Sequence, residues 1–251
     1  FQDVSYTYPG AAVPALSHVS FRLEPGKKIA VVGMNGSGKT TMVKLLCRLY
    51  DLDGGRVMLN GRNVREYDHE EYLRRFSVVF QDFQLLALPL GENVAGSKDY
   101  DAARVQDCLE KVGFGKRLQR MKNGLSTFLY RNMDQEGVEI SGGEAQKIAL
   151  ARALYKDAPI VVLDEPTAAL DPVSEHEVYS GFRNLVGGRT SIFISHRLSS
   201  CRFCDEILVF HQGQLVQRGS HEELVKEEDG LYASMWRAQA QYYEKDSAVL
   251  G

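Results

Sequence analysis

The stretch Gly33-Met34-Asn35-Gly36-Ser37-Gly38-Lys39-Thr40 constrains this chain more than any other. It fits G-x-x-x-x-G-K-[ST], and its flanks agree with the fit. Before it, Lys28 to Val32 is a short apolar, β-branched run, which predicts a buried strand. After it, Thr41 to Leu49 has the apolar spacing of a helix. A strand, a glycine loop and a helix start, in that order, are the context of a phosphate-binding loop. Glycines allow backbone angles that a Cβ would forbid. Successive N–H groups then converge on an anion, and the helix N-terminus adds partial positive charge. Lys39 would reach the β- and γ-phosphates, and the Thr40 hydroxyl suits Mg²⁺, a hard cation that takes oxygen ligands.

Composition sets outer bounds. The chain has 251 residues, enough for one large domain or two small ones. Net charge is −3, so no global basic field recruits nucleic acid, and no nucleic-acid partner is expected. No apolar stretch approaches the roughly 18 residues of a membrane span, and no signal peptide is seen. The four cysteines do not form a secreted disulfide framework. Cys201 and Cys204 make one C-x-x-C, two ligands short of a structural zinc site. They are expected to be buried on a helix face, in a reducing, cytosolic setting.

Along the chain, Phe1 to Leu23 alternates apolar and polar residues around Pro9-Gly10, which predicts short antiparallel strands. The chain opens directly on this pattern, so a fragment of something longer is expected. Tyr8, at a strand end, is either a half-exposed strand tyrosine or a ring on which a base stacks. Asp53-Gly54-Gly55 predicts a turn, Arg56 to Leu59 a strand, and Asn60-Gly61 a hairpin-type turn. His69 to Phe76 predicts a short helix, and Ser77 to Phe80 a strand that ends at Gln81. A polar residue at the end of a core strand lies where ligands bind in parallel sheets.

From about residue 82 the pattern turns helical and more charged, with Ala102 to Val112 the clearest amphipathic segment. Ser141-Gly142-Gly143-Glu144 precedes a strong helix former, Ala145 to Tyr155. It is either an ordinary N-cap or a second anion-binding helix terminus. Ile160 to Leu163 predicts a buried strand that ends in Asp164-Glu165-Pro166. Buried strands rarely end in adjacent carboxylates without cations or hydrogen bonds to hold them. Asp164 suits Mg²⁺ through water, and Glu165 can act as base or orienter for an attacking water. Ala169-Leu170-Asp171-Pro172 caps a further helix towards Leu185. Thr190 to Ile194 predicts a core strand that ends at Ser195-His196. His196 is either structural or a donor to a γ-phosphate. A hairpin at His211-Gln212-Gly213, a helix opened in capping-box style by Ser220 to Glu223, and a helical aromatic tail from Gly230 to Lys245 complete the chain. The tail is expected to dock on the body.

In combination these motifs resemble the nucleotide-binding domain of an ATP-binding cassette (ABC) transporter, over essentially the whole length. The Ser-Gly-Gly element, about 100 residues after Lys39 and shortly before the Asp-Glu strand, is the specific part. The resemblance implies an α/β fold: a P-loop NTPase (RecA-like) core with an antiparallel β subdomain and an inserted α-helical subdomain. Core and β subdomain would span about 1–81 and 156–251, and the helical subdomain about 82–155. It implies that Tyr8 stacks on adenine and that Asn35, Gly36, Ser37, Gly38, Lys39, Thr40 and Thr41 hold ATP. Thr40, Gln81 and Asp164 would serve Mg²⁺, with Gln81 also contacting the attacking water in a loop coupled to the membrane part. Ser141, Gly142, Gly143 and Glu144 match the signature, Glu165 the catalytic glutamate, Asp171 a loop that crosses the dimer interface, and His196 the switch histidine.

The implied assembly is a head-to-tail dimer, homo- or heteromeric, that sandwiches two ATP molecules at the cytoplasmic face of a membrane. A transmembrane domain of the same transporter would be its other partner. The opening Phe-x-x-Val-Ser-Tyr-x-Tyr-Pro-Gly and closing Gly219 to Leu224 resemble exporters, whose cassette follows the membrane domain. The expected function is ATP hydrolysis that powers export of an unknown substrate. The alternative is a non-transport ABC ATPase of DNA repair, chromosome organisation or translation. The repair and chromosome types carry a long coiled coil between Lys39 and Ser141, which this chain lacks, and the translation type usually has two cassettes. Two positions depart from the family pattern. Glu144 replaces the usual glutamine and brings negative charge towards a triphosphate, which is expected to weaken closure. Thr127 to Gly137 is longer than usual, with Gln135 where a glutamate is expected.

Overall fold

The computed structural model describes residues 1–166 and 186–249, with side chains to Gln241. Asp171, the Ala169–Pro172 cap, the helix expected towards Leu185 and the side chains of Tyr242 and Tyr243 lie outside the described residues. In chain order the described strands and α-helices are β1 (Gln2–Tyr6), β2 (Leu16–Val19), β3 (Lys28–Val32), α1 (Lys39–Leu46), β4 (Gly54–Arg56), β5 (Met58–Leu59), β6 (Arg62–Asn63), α2 (His69–Leu73) and β7 (Phe76–Val79). There follow α3 (Leu90–Ala95), α4 (Ala102–Lys111), α5 (Gly115–Gln119), α6 (Gly142–Lys156), β8 (Ile160–Asp164), β9 (Thr190–Ile194), β10 (Glu206–His211), β11 (Gln214–Gly219), α7 (His221–Lys226) and α8 (Leu231–Val249). None of these helices is long and apolar enough to cross a membrane.

Two compact units emerge, Phe1–Phe76 with Gly188–Gly251, and Ser77–Gly187. In the first, β3 is the centre. It pairs in parallel with β10 on one side and β9 on the other, and β11 adds antiparallel to β10. Ile29 to Val32 are fully buried. That is why their pattern is continuously apolar rather than alternating: a strand covered on both faces has no side to leave polar. The smaller sheet β2-β1-β4 is antiparallel, as the alternation at the chain start predicts.

The glycine pair at 54–55 departs from expectation. Gly54–Arg56 is a strand, not a turn, and it pairs with β1 in the register Gln2↔Arg56 and Ser5↔Gly54. A Cβ on Gly55 would stand 2.2 Å from Asp3 O, so glycine is there for backbone approach. Val57 then separates β4 from β5, and the hairpin turn at Asn60-Gly61 joins β5 to β6 as the dipeptide predicts. The helix expected over His69 to Phe76 stops at Leu73, and Phe76 already belongs to β7.

At the chain end, Ser220 and Glu223 form a full capping box on α7. α8 docks as expected. Tyr232 is fully buried, with its hydroxyl 2.8 Å from His221 Nδ1, and the Trp236 ring lies 4.7 Å from that imidazole. Cys201 and Cys204 are buried and free, but they sit in and just after a 3-10 turn, Leu198–Phe203, not on an α-helix face. Burial pushes the Cys201 thiol up to about 12 and Cys204 well above the ordinary thiol range, so both stay protonated and inert.

In the second unit, α3 and α4 pack on α6. The buried Asn93 amide donates to the carbonyls of Leu86 and Leu88, and its oxygen accepts from Leu86 N, which fixes the entry to the helices. β8 lies beside β7 and is buried along its length from Val161 to Asp164.

Candidate nucleotide-binding elements

In the first unit the glycine loop runs from β3 to α1 as the sequence predicts. Gly33 has φ 148°, and a Cβ there would meet Phe210 O at 2.2 Å and Ser37 Oγ at 2.7 Å. Only glycine fits that turn. The hairpin between β10 and β11 braces the loop, since Gly213 N donates to Ser37 O at 3.1 Å. α1 begins at Lys39 after Gly38, with no side-chain cap on its first amides. Gly38 has no side chain to cap the helix start, and a helix N-terminus of this kind favours an anion.

Lys39 is 5% exposed, and its Nζ donates to Gly33 O at 2.8 Å and Met34 O at 3.0 Å. The ammonium therefore lies folded over the loop, where phosphate oxygens would replace the carbonyls. Ser37 Oγ is buried without a hydrogen-bond partner, a polar atom for which a phosphate oxygen would supply the missing contact. Asn35 and Gly36 form the exposed rim, Thr40 is half-buried and Thr41 buried. These residues fit a nucleoside polyphosphate. Tyr8 stands at the same place: its hydroxyl lies 3.2 Å from Thr41 Oγ1. Its ring is packed edge-on by Tyr6 at 5.0 Å and Tyr50 at 5.5 Å, which holds it without burying it. His196, half-buried, follows β9.

The second unit carries the other residues singled out by sequence. Asp164 is fully buried at the end of β8. Glu165 follows with φ 51°, a left-handed conformation rare for a non-glycine residue. The Gln146 amide holds it there by donating to Glu165 O at 3.2 Å. A cleft of about 400 Å³ is lined by Gln81, Phe83, Tyr130, Gly142, Gln146 and Glu165, among others. Sequence reasoning missed Gln146, Tyr130 and Phe83 as neighbours of Glu165. Gln146 sits two residues past the signature match, so only the pairing of helix to strand end shows its use. Within this unit Gln81 and Asp164 each carry side-chain oxygen, the donor type that Mg²⁺ takes, and in the first unit Thr40 does the same. No cluster of three or more His, Cys, Asp or Glu suits another metal among the described residues.

Ser141 is an N-cap and also stands where a ligand can reach it. Its hydroxyl accepts from Glu144 N at 3.3 Å, and Glu144 Oε2 accepts from Ser141 N at 2.9 Å, a complete capping box. The other carboxylate oxygen of Glu144 lies 2.9 Å from Arg117 Nε. The negative charge that the sequence places at this helix start is thus met by a cation from α5. Arg117, 27 residues upstream, has no sequence signal that would pair it with Glu144. Gly137, buried, closes the loop before Ser141, with its N–H donating to Asp134 O at 3.0 Å.

The ABC transporter family model matches residues 16–168. ATP-dependent lipid A-core flippases of Vibrio vulnificus (strain CMCP6) and Burkholderia orbicola (strain AU 1054) are each 42% identical over 241 residues. Those matches take in 95% and 96% of this chain and 40% of the relatives, so the chain spans about two fifths of their length. The structure of a bacterial Atm1-family ABC exporter with ATP bound superposes with a TM-score of 0.88 at 35% identity, over 96% of this chain and 41% of that one. The chain therefore belongs to the ABC transporter family and has the P-loop NTPase-type fold of its nucleotide-binding domain.

Proposed function

We propose that this chain binds and hydrolyses ATP to drive export across a membrane, as one of two nucleotide-binding domains paired head to tail. The observation that carries this reading is the loop at Gly33–Thr40, with Lys39 folded over it and the buried Ser37 Oγ lacking a hydrogen-bond partner. Tyr8 would take the base, and the loop amides, Lys39 and Ser37 the phosphates. Thr40, Gln81 and Asp164 would hold Mg²⁺, which when bound neutralises charge on the β- and γ-phosphates. Glu165 would accept the proton of the attacking water, with Gln81 orienting that water. His196 would donate to the γ-phosphate. Ser141 to Gly143 would serve the ATP of the other protomer, and Asp171 would lie at the contact between protomers.

The finer reading is lipid flipping at the cytoplasmic face, with the transmembrane part of the same transporter as partner. The names of the relatives support lipid A-core as the substrate class. ATP-dependent translocation of lipid A-core in vesicles, with the intact protein reconstituted, tests that part.

The ATPase itself is tested by two substitutions. Lys39→Ala should abolish productive MgATP use, because the phosphates lose their point charge. Glu165→Gln should keep ATP binding and slow hydrolysis by about 10²- to 10⁴-fold, since an amide cannot take the proton. Turnover at the parent rate in either variant would overturn the role given to that residue.

A further inference from the structure

We propose that Gln239 of α8 is a positioning residue for His196, an inference that rests on the reading of His196 as a γ-phosphate donor. The two are 43 residues apart, on different elements of the same unit. The Gln239 amide nitrogen donates to His196 O, and its oxygen accepts from Leu198 N at 2.9 Å. One side chain therefore grips the backbone at both sides of Arg197. Its orientation is forced, because a carbonyl can only accept and an N–H can only donate.

The loop so gripped is already short of freedom. Ser195 Oγ accepts from Arg197 N at 3.0 Å, and Ser200 Oγ donates to Arg197 O at 2.6 Å. β9 fixes the loop from its N-terminal side, where Ile194 is fully buried. Gln239 fixes it from the side of α8. Tyr232, Trp236 and Gln239 stand at i, i+4 and i+7, so they share one helix face. The first two anchor that face on His221. Tyr232 N also donates to Gln217 Oε1 at 2.9 Å. The anchored part of the helix thus ends at the loop that aims the imidazole. Positions held only by their own chain would swing with that loop, whereas His196 is referenced to a docked helix.

The test is a double-mutant cycle on single-turnover hydrolysis in the intact protein. Gln239→Leu keeps the volume and removes both bonds. It should lower the hydrolysis rate about three- to tenfold, the worth of one or two hydrogen bonds, and leave ATP affinity in a Glu165→Gln background unchanged. On a His196→Ala background the same change should cost nothing further, because its effect runs through His196. Gln239→Glu keeps the acceptor for Leu198 N but loses the donor to His196 O. It should slow hydrolysis like Gln239→Leu, and it serves should Gln239→Leu fail to fold. A parent rate in both Gln239 variants, or a loss that persists in full without the imidazole, overturns the inference and leaves the reading of His196 intact. A parent rate in His196→Ala overturns that reading, and the inference with it.

Discussion

Glu144 carries two contacts that pull in different senses. Through the capping box it satisfies Ser141 N, and through Arg117 it is neutralised. Both side chains are only partly buried, so the ion pair itself is worth little, about 0.2–1 kcal/mol. In the proposed head-to-tail pairing, its consequence is the local charge that would face an incoming triphosphate. Arg117→Ala should expose the Glu144 charge and weaken ATP-driven association of a Glu165→Gln chain about two- to fivefold. Glu144→Gln keeps an acceptor for Ser141 N and leaves Arg117 positive, so it should strengthen association. The double substitution should return close to the parent. Sedimentation with and without ATP measures this, and equal association in all four chains would mean that the pair stands too far from the nucleotide to matter. The charge of Glu144 was legible in the sequence because it breaks a pattern. Its partner was not, because the packing of α5 on α6 makes the pair. The left-handed backbone of Glu165 was likewise hidden, since no residue type announces that a carboxylate is held at φ 51°.

Among the elements, α7 and α8 are joined at one buried imidazole. Burial, and after it the charge of Arg202, holds His221 below its ordinary value, with Glu222 opposing. The unfolded chain, at about 6.5, therefore takes up the proton at higher pH than the folded one. The stability contributed by the neutral ring is whole above about 6.5 and is lost as pH falls towards the lowered folded value. The melting temperature should drop between pH 7.5 and pH 5.5. His221→Asn should melt lower at pH 7.5, having lost the bond to Tyr232, but with a shallower fall towards pH 5.5. An unchanged slope would assign the acid sensitivity to other groups. Docking of the tail was readable from its aromatic residues. The pair of bonds made by Gln239 was not, because a polar residue on a docked face looks the same in sequence as one facing water. The strand at Gly54–Arg56 was misjudged for a related reason: glycine marks both turns and close backbone approach, and only the partner strand tells them apart.

For the molecule as a whole, the proposed head-to-tail pairing has a direct test. A Lys39→Ala chain and a Ser141→Arg chain should each be inactive, since every site in either dimer is damaged. Mixed, they form some dimers in which one site joins an intact loop to an intact signature, and turnover should return at up to half of the sites. Self-association of the Glu165→Gln chain with ATP is the control. With that control positive, a mixture that stays inactive would refute a site shared between independently firing protomers. The division into two units has a consequence of another kind, in the order of synthesis. Ser77–Gly187 is continuous, whereas the other unit is written in two instalments. Gly26 N donates to Thr190 Oγ1 across 164 residues, and β3 pairs on both sides only with strands beyond that point. At about 5–20 residues per second, the ribosome needs roughly 8 to 30 s to deliver them. For that interval β3, whose residues Ile29 to Val32 end fully buried, has emerged without its neighbours, while the continuous unit is being delivered. The two-part unit can thus be set only after the continuous one has been delivered, and the glycine loop between β3 and α1 is among the parts that wait longest for their neighbours.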